Sequence, residues 1–160
     1  MKKKRRDLKS LFKYIYLKLL RFKDSPEKIA LSFSIGVFIG IFPTFGIGGI
    51  LVILISYIFK LNYIAGLLGT FIMNYVTSPF FWALSYFVGE FIVSGKLEWK
   101  GFERSSLKGF AISYLIGNLF VSTVFSIISY FVVKNMIIAY RKRKKKRKAN
   151  AFLFLSFLTY

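Results

Sequence analysis

The residues best placed to do chemistry lie around two interruptions of a long apolar stretch. Each interruption contains a proline, which removes a backbone donor and clashes with the preceding helical turn. The polar side chains beside these prolines could line a cavity together with the freed carbonyls, or could simply satisfy the bent backbone. The sequence leaves both readings open. The candidate residues are Pro43, Thr44, Gly46, Asn74, Thr77, Ser78 and Pro79.

Glu90 is the only acid near the interior of an apolar segment. An ionisable group is costly inside a bilayer, which makes Glu90 a candidate intramembrane functional acid. The alternative, which we favour, is that Glu90 lies near a helix end and reaches the headgroups or a base such as Lys96.

Many kinds of chemistry are excluded by composition. The chain has no Cys and no His, so disulfides, thiolate metal sites and the usual general base are ruled out. Paired carboxylates are also missing from the apolar segments. We therefore expect no catalytic residues, no metal site and no cofactor, and we expect that the protein is not an enzyme.

The stretch that positions these residues runs from Ile29 to Gly89, and Lys60 is its only charge. A soluble fold of 160 residues cannot bury so long an apolar run, whereas a membrane-spanning helix needs about 20 apolar residues. Apolar residues make up 56% of the chain and the mean hydropathy is +0.56. The sequence predicts an integral membrane protein.

Proline and glycine divide this stretch into helices. Ser25 can cap a helix that has Pro26 at its first position, and this helix is predicted to end near Phe42. A second helix follows to Phe59, and residues 61–89 repeat the scheme around Pro79. The fold class is thus all-α: a polytopic helical membrane protein with two proline-broken helical hairpins, crossing or re-entrant, plus a C-terminal transmembrane helix.

Small residues recur at helical spacing on two of the predicted helices. Apolar side chains gain little by meeting each other in lipid, so such faces let two backbones approach closely. We predict close helix packing there and expect that a homodimer uses these faces. The predicted packing residues are Ser32, Gly36, Gly40, Ala65 and Gly69.

Positive charge is concentrated at the two ends of the chain. The net charge is +19; residues 1–28 hold eleven bases, and residues 141–148 are all basic. Bases that flank apolar segments stay in the cytoplasm and attract anionic lipid. We therefore predict a multi-pass protein of the bacterial inner membrane with both termini cytoplasmic, and we expect no nucleic-acid partner.

The chain divides into five segments on these grounds. Residues 1–24 form a basic amphipathic helix, predicted to lie in the headgroup plane; the alternative is packing on the rest of the protein. Residues 25–95 form the membrane core and residues 96–108 a polar loop outside. Residues 109–140 contain the transmembrane helix, with 25 uncharged positions. Residues 141–160 form a polybasic and apolar tail, and we expect its apolar part, residues 149–160, to insert shallowly beside the basic run.

Several motifs in residues 25–95 resemble the bacterial membrane-protein family DUF2062. The resemblance implies a helical inner-membrane protein, with relatives sometimes joined to glycosyltransferase-like domains, and it implies no established activity. Tyr75 departs from the pattern, since the family favours proline after the first loop asparagine. The matching positions are Ser25, Pro26, Ile29, Ala30, Gly36, Gly40, Pro43, Gly46, Asn62, Gly69, Thr70, Asn74, Thr77, Pro79 and Gly89.

Two functions follow from the sequence. The first is a small transporter, channel or lipid-handling protein in which the two breaks face each other, because transporters often use broken helices in paired repeats. The second is a non-transporting membrane adaptor that binds anionic lipid or recruits an envelope-biosynthesis enzyme, for example a membrane-associated glycosyltransferase.

Overall fold

The structure is a computed structural model that describes residues 8–44, 46–73, 76–95 and 107–158. This part of the chain is entirely α-helical, without strands, which confirms the predicted all-α class. The six helices are α1 (Leu8–Arg21), α2 (Pro26–Ile41), α3 (Gly48–Ile58), α4 (Tyr63–Thr70), α5 (Ser78–Ser94) and α6 (Leu107–Leu158).

Local sequence accounts for both ends of α2. At its start, Ser25 Oγ accepts a hydrogen bond from the Lys28 backbone N–H at 3.3 Å, and Pro26 occupies the first turn. At its end, Phe42 is extended with φ −64° and ψ 140°, which is the conformation that a following proline imposes on its predecessor. The break before α3 therefore lies where Pro43 predicts it.

The turn between α3 and α4 is set by Lys60 and Asn62. Lys60 adopts a left-handed φ of 52°. Asn62 then caps α4, because its Oδ1 accepts a hydrogen bond from the Ala65 backbone N–H at 3.0 Å. The backbone N–H of Asn62 donates in turn to Ser32 Oγ at 2.9 Å, which fixes this turn beside the first half of α2.

Contacts between helices give the direction of each one. Gly36 and Gly40 of α2 meet Gly66 and Thr70 of α4 in the same order, so these two helices run in parallel. The contacts of α6 run in the opposite order along both α2 and α5. These contacts are Asn118 to Ile41, Ser126 to Ser34, Phe81 to Phe125, and Gly89 to Ser113.

The second predicted hairpin is therefore wrong. α4 and α5 both run in the direction of α2, so the connection between them displaces the chain sideways without reversing it. Tight turn hydrogen bonds from Ile72 N–H to Gly69 O and from Met73 N–H to Thr70 O begin this step. Helical periodicity reports which face of a helix is buried but carries no information on whether the next helix returns.

The core lies where α6 packs against α2 and α5, and α1 also belongs to it. Ile15 and Leu19 of α1 are 6% and 1% exposed, in the same cluster as Val133 and Ile137 of α6. The preference for a headgroup-plane helix is thus not met over residues 13–21. Their apolar face packs on the protein, which was the alternative, because α6 extends far enough to cover it.

α6 continues without interruption through the basic run into the apolar tail. It contains 52 residues, which is about 78 Å of helix. The sequence has no glycine or proline after Gly117, so nothing in it breaks the helix. The tail backbone up to Leu158 therefore prolongs α6, and the shallow insertion of the apolar tail stays a prediction.

Within the described residues, one helical segment has the length and apolar composition needed to cross a bilayer, Gly109–Arg147. Only 28% of its most apolar stretch is buried inside the protein, whereas the core helix of a soluble domain would be mostly buried. α3 is strongly apolar but has only 11 residues. α2 and α5 have 16 and 17 residues. The polytopic arrangement remains a prediction.

Candidate functional site

The small-residue faces of α2 and α4 pack against each other. A Cβ atom on Gly36 would overlap the carbonyl oxygen of Gly66, and one on Gly69 would overlap the carbonyl oxygen of Phe33. A Cβ on Gly40 would lie 3.0 Å from Thr70 Cα. Ser32 and Ala65 are buried at the same crossing, at 1% and 0% exposed. The two backbones are therefore in direct contact.

This packing bears on the expected homodimer. The faces assigned to a dimer interface are occupied within a single chain, so they are not available to a second copy. Dimerisation itself stays a prediction, and it would need another surface.

A second backbone crossing, between α5 and α6, was missed by the sequence analysis. A Cβ on Gly89 would overlap the carbonyl oxygen of Ser113, and a Cβ on Gly117 would overlap that of Ser85. Each helix brings one glycine and one serine four residues apart. The spacing of four that identifies Ser32 and Gly36 on α2 also occurs in Ser85 with Gly89 and in Ser113 with Gly117, and it is the signal that could have found this crossing.

Asn118 lies at the centre of the molecule and joins three helices. Its Nδ2 donates to the carbonyl oxygen of Ile41, the last residue of α2, at 3.1 Å, and to Ser85 Oγ at 3.3 Å. The Ile41 carbonyl has no helical partner because α2 stops there. Asn118 is fully buried, and its Oδ1 has no hydrogen-bond partner among the described residues. It therefore holds the first break from a distant helix.

Glu90 is buried between α5 and α6. It is 8% exposed, and its Oε2 accepts a hydrogen bond from Ser113 Oγ at 3.0 Å. Glu90 thus turns toward α6. The favoured alternative had expected it to reach outward to a surface. Lys96, its suggested partner, lies outside the described residues.

Each break is closed in part by its own neighbours. At the first, the Thr44 backbone N–H donates to Phe42 O at 2.8 Å and Ile47 N–H donates to Thr44 O at 3.1 Å. Gly46 adopts a φ of +92°, which favours glycine. At the second, Thr77 Oγ1 donates to the carbonyl oxygen of Ile72 at 2.6 Å.

The remaining candidate residues of the second break do not lie where the sequence analysis expected a helix interruption, or they are outside the described residues. Ser78 and Pro79 begin α5 and do not interrupt a helix, since proline is well tolerated in a first turn. Asn74 lies outside the described residues. The first break is thus satisfied by the backbone of Thr44 and the side chain of the unforeseen Asn118, and the second by the side chain of Thr77.

Together these groups form a polar seam along α6, defined here as Glu90, Ser113, Ser85, Asn118, Ser34 and Ser126. Ser126 Oγ contributes by donating to the carbonyl oxygen of Ser34 at 2.8 Å. Four of the six members are serines, and the hydroxyls of Ser113, Ser85 and Ser126 bond to a neighbouring helix. Such groups hold helices together where water is excluded.

A network of ionic and polar contacts lies at the opposite end of α2 from the first break. Arg141 Nη2 donates to the carbonyl oxygens of Phe22 and Asp24, at 2.8 and 2.6 Å. The Asp24 carboxylate accepts from Asn62 Nδ2 at 2.5 Å. The loop between α1 and α2 is thereby tied to both α6 and the α3–α4 turn.

Lys134 adds an ion pair beside this network. Its Nζ lies 3.5 Å from Glu27 Oε1 in the first turn of α2. Lys134 is the first base after the apolar part of α6. We call the region from Lys134 to Arg147, with the α1–α2 loop and the α3–α4 turn, the basic end.

Open grooves surround the helices. One of about 410 Å³ lies between α5 and α6 and is lined largely by aromatic side chains, among them Trp82, Tyr86 and Tyr114. Another of about 470 Å³, lined by Leu84, Phe87, Val88, Phe91, Ile92 and Phe120, is wholly apolar. A third, at the basic end, has about 270 Å³ and is lined by Tyr140, Arg143, Lys144 and Arg147.

Residues 9–146 match the model of a family described as an uncharacterized protein conserved in bacteria, DUF2062. The chain belongs to the DUF2062 family. The matched region extends beyond the motifs in residues 25–95 and takes in most of α1 and the basic run of α6. No curated protein and no solved structure matches this DUF2062 chain.

Proposed function

We propose that this DUF2062 protein is an integral protein of the bacterial inner membrane that acts as an adaptor. It would bind anionic lipid at its basic end, present that surface to an envelope-building enzyme, and carry out no chemistry of its own. A membrane-associated glycosyltransferase is the partner that the family resemblance suggests.

The observation that carries the proposal is the division of the surface. Large apolar side chains are exposed on every helix from α3 to α6; Ile50, Phe80, Phe91 and Phe131, for example, are 57–68% exposed. A soluble monomer rarely exposes apolar patches on this scale. Among the described residues, basic side chains gather instead at one end, as expected where a protein meets anionic headgroups.

Helix directions suggest a topology. With the basic end in the cytoplasm, α2 enters the bilayer and α3 returns. α4 and α5 then advance in succession to the far side, and α6 comes back. This path keeps both termini cytoplasmic and puts the polar loop of residues 96–108 outside, while α2 and α3 form a re-entrant hairpin that is capped inside the protein by Asn118.

The test is selective retention of anionic lipid. Purified protein would be placed in nanodiscs of phosphatidylcholine containing phosphatidylglycerol and then extracted in mild detergent. Native mass spectrometry would identify the lipids that stay bound to the protein. We expect enrichment of phosphatidylglycerol on the protein over its share of the bilayer. Co-purified lipid in the same ratio as the bilayer would contradict lipid binding at the basic end.

The adaptor role requires a second measurement. A photo-crosslinker would be placed at a basic-end position in native membranes, and the tagged chain would then be purified. We expect one envelope-building enzyme to co-purify in a stoichiometric amount relative to the chain. Crosslinks only between copies of the chain would contradict recruitment of an enzyme.

A second candidate function is transport along the polar seam. The supporting observation is that buried Glu90 of α5 and buried Asn118 of α6 both belong to the polar seam, and acids inside a membrane often belong to solute or proton paths. The test is flux of protons, ions and osmolytes into liposomes, with Glu90→Gln as the comparison. Permeability equal to that of empty liposomes would contradict transport.

A further inference from the structure

We propose that one face of α6 at the basic end is a binding site for the phosphate of an anionic phospholipid headgroup. The site consists of Tyr140, Arg143, Lys144 and Arg147. This inference rests on the proposed lipid-binding function and adds to it a defined position.

The four residues share a face by helical geometry. Spacings of three, four and seven residues bring side chains to the same side of a helix. They line a common cleft of about 270 Å³. All four are exposed at their helix positions. The cleft is therefore open to a ligand from outside the protein.

The three cations of this face have no acidic partner in the described part of the chain, whereas two bases earlier in α6 do have partners. Lys134 pairs with Glu27, and Arg141 donates to two backbone carbonyls. No Asp or Glu follows Glu103 in the sequence. Like charges three and four residues apart on a helix repel each other, so a bound anion would relieve repulsion that nothing else along α6 offsets.

The chemistry of the face suits a phosphate. Arginine can present two parallel N–H donors to phosphate oxygens, and lysine adds a compact positive charge. The hydroxyl of Tyr140 provides a further donor beside them. A cationic ligand would be repelled by the three positive charges of this cleft.

Its position along α6 selects a lipid as the source of that phosphate. Apolar residues resume after Lys134 and continue to Ala139, so residues 140–147 cover about the first 11 Å of α6 beyond its last apolar residues. The headgroup layer occupies roughly 5–8 Å on each side of the hydrocarbon core. Long arginine and lysine side chains that extend back toward the bilayer reach this layer.

The test compares two variants with the same loss of charge. In the site variant, Arg143→Gln, Lys144→Gln and Arg147→Gln remove the proposed site. In the control, Lys142→Gln, Lys145→Gln and Lys146→Gln remove three exposed bases on the same two turns that do not line the cleft. Both variants should keep wild-type helicity by circular dichroism and elute as one species.

Phosphatidylglycerol would be titrated into each protein in neutral micelles, and the bound lipid molecules would be counted by native mass spectrometry. Near an anionic surface each base contributes about fivefold to binding, so the control should lose affinity through general charge alone. Bidentate hydrogen bonds to the phosphate contribute affinity beyond this general charge effect. We therefore expect the site variant to lose at least about tenfold more affinity than the control.

Equal losses in the two variants would overturn the site but leave anionic-lipid binding intact, as diffuse attraction. No preference of the wild-type protein for phosphatidylglycerol over phosphatidylcholine would overturn the lipid-binding function itself. Inorganic phosphate, added to protein in neutral micelles, should not raise the Tm. A rise equal to that given by phosphatidylglycerol would assign the site to a soluble phosphate and overturn the lipid assignment.

Discussion

At the scale of single residues, Asn118 makes hydrogen bonds to two other helices that its neighbours in sequence cannot make. It is flanked by apolar positions on α6, yet it satisfies the carbonyl at the end of α2 and reaches Ser85 on α5. Sequence patterns did not single it out because its partners lie 77 and 33 residues away. A lone asparagine in an apolar helix is a signal that would have justified naming it.

Replacing Asn118 by alanine should destabilise the fold. The Ile41 carbonyl would lose its partner in a buried place, which costs about 1–3 kcal/mol. Asn118→Asp should cost more, because a carboxylate oxygen would face that carbonyl. Thermal unfolding in detergent measures the effect. Asn135→Ala, at an exposed position of the same helix, should leave the Tm unchanged, and an equal drop there would contradict this role.

Glycines at the two backbone crossings should tolerate no larger side chain. Gly89→Ala and Gly36→Ala each place a methyl group where a carbonyl oxygen of the opposite helix lies, so we expect a loss of about 1–3 kcal/mol of unfolding free energy or more. The matched control is Gly49→Ala, where the nearest neighbouring atom is a leucine methyl 3.8 Å away.

Gly49→Ala should leave the unfolding free energy unchanged or slightly raise it, because alanine favours helix more than glycine does. If Gly89→Ala and Gly36→Ala behaved like Gly49→Ala in chemical or thermal unfolding, the helices would not be in backbone contact at these glycines.

At the scale of helices, the sequence predicted the breaks better than the directions. Pro43 and Ser25–Pro26 place the two ends of α2 because their effects are local to the chain. Whether α4 and α5 reverse or advance depends on how α2 and α6 pack around them. That is a long-range property which periodicity does not contain. For the same reason the apolar face of α1 was predicted correctly, but its partner was not.

The docking of α1 should depend on Arg141. This side chain donates two hydrogen bonds to the α1–α2 loop, and a charged hydrogen bond contributes about 1.5 kcal/mol or more. Arg141→Ala should therefore raise the open population of α1 roughly tenfold, which limited trypsin digestion at Arg21 and Lys23 would report as faster cleavage.

Lys142→Ala is the control for this digestion, since it removes one base and one trypsin site from the adjacent exposed position. Its cleavage at Arg21 and Lys23 should match that of the wild-type protein. If the two variants were cleaved at the same rate, Arg141 would not hold α1 in place.

At the scale of the whole molecule, the arrangement joins a rigid apolar body to a basic end. Two crossings without side chains between the backbones, α2 with α4 and α5 with α6, hold the body together from inside. The outward faces of the helices remain apolar, and the charge lies where α6 leaves the body. An adaptor needs a stable anchor and one exposed recognition surface, and this division supplies both.

Composition predicted this division, because charge counts and apolar runs do not depend on how the helices pack. The polar seam could not be predicted as a unit, since its members are single serines, an asparagine and an acid on three different helices. Only the packing of α2, α5 and α6 brings them together.

The most direct test of the account is the side of the membrane on which each end of α6 lies. The natural chain has no cysteine, so Gly101→Cys and Lys145→Cys each introduce a single thiol before and after the apolar part of α6. A membrane-impermeant maleimide is added to intact spheroplasts and to inverted vesicles. We predict that Gly101→Cys is labelled only in spheroplasts and Lys145→Cys only in inverted vesicles. Labelling of both thiols from the same side, or a chain that stays soluble without detergent, would contradict a protein held across the membrane by α6.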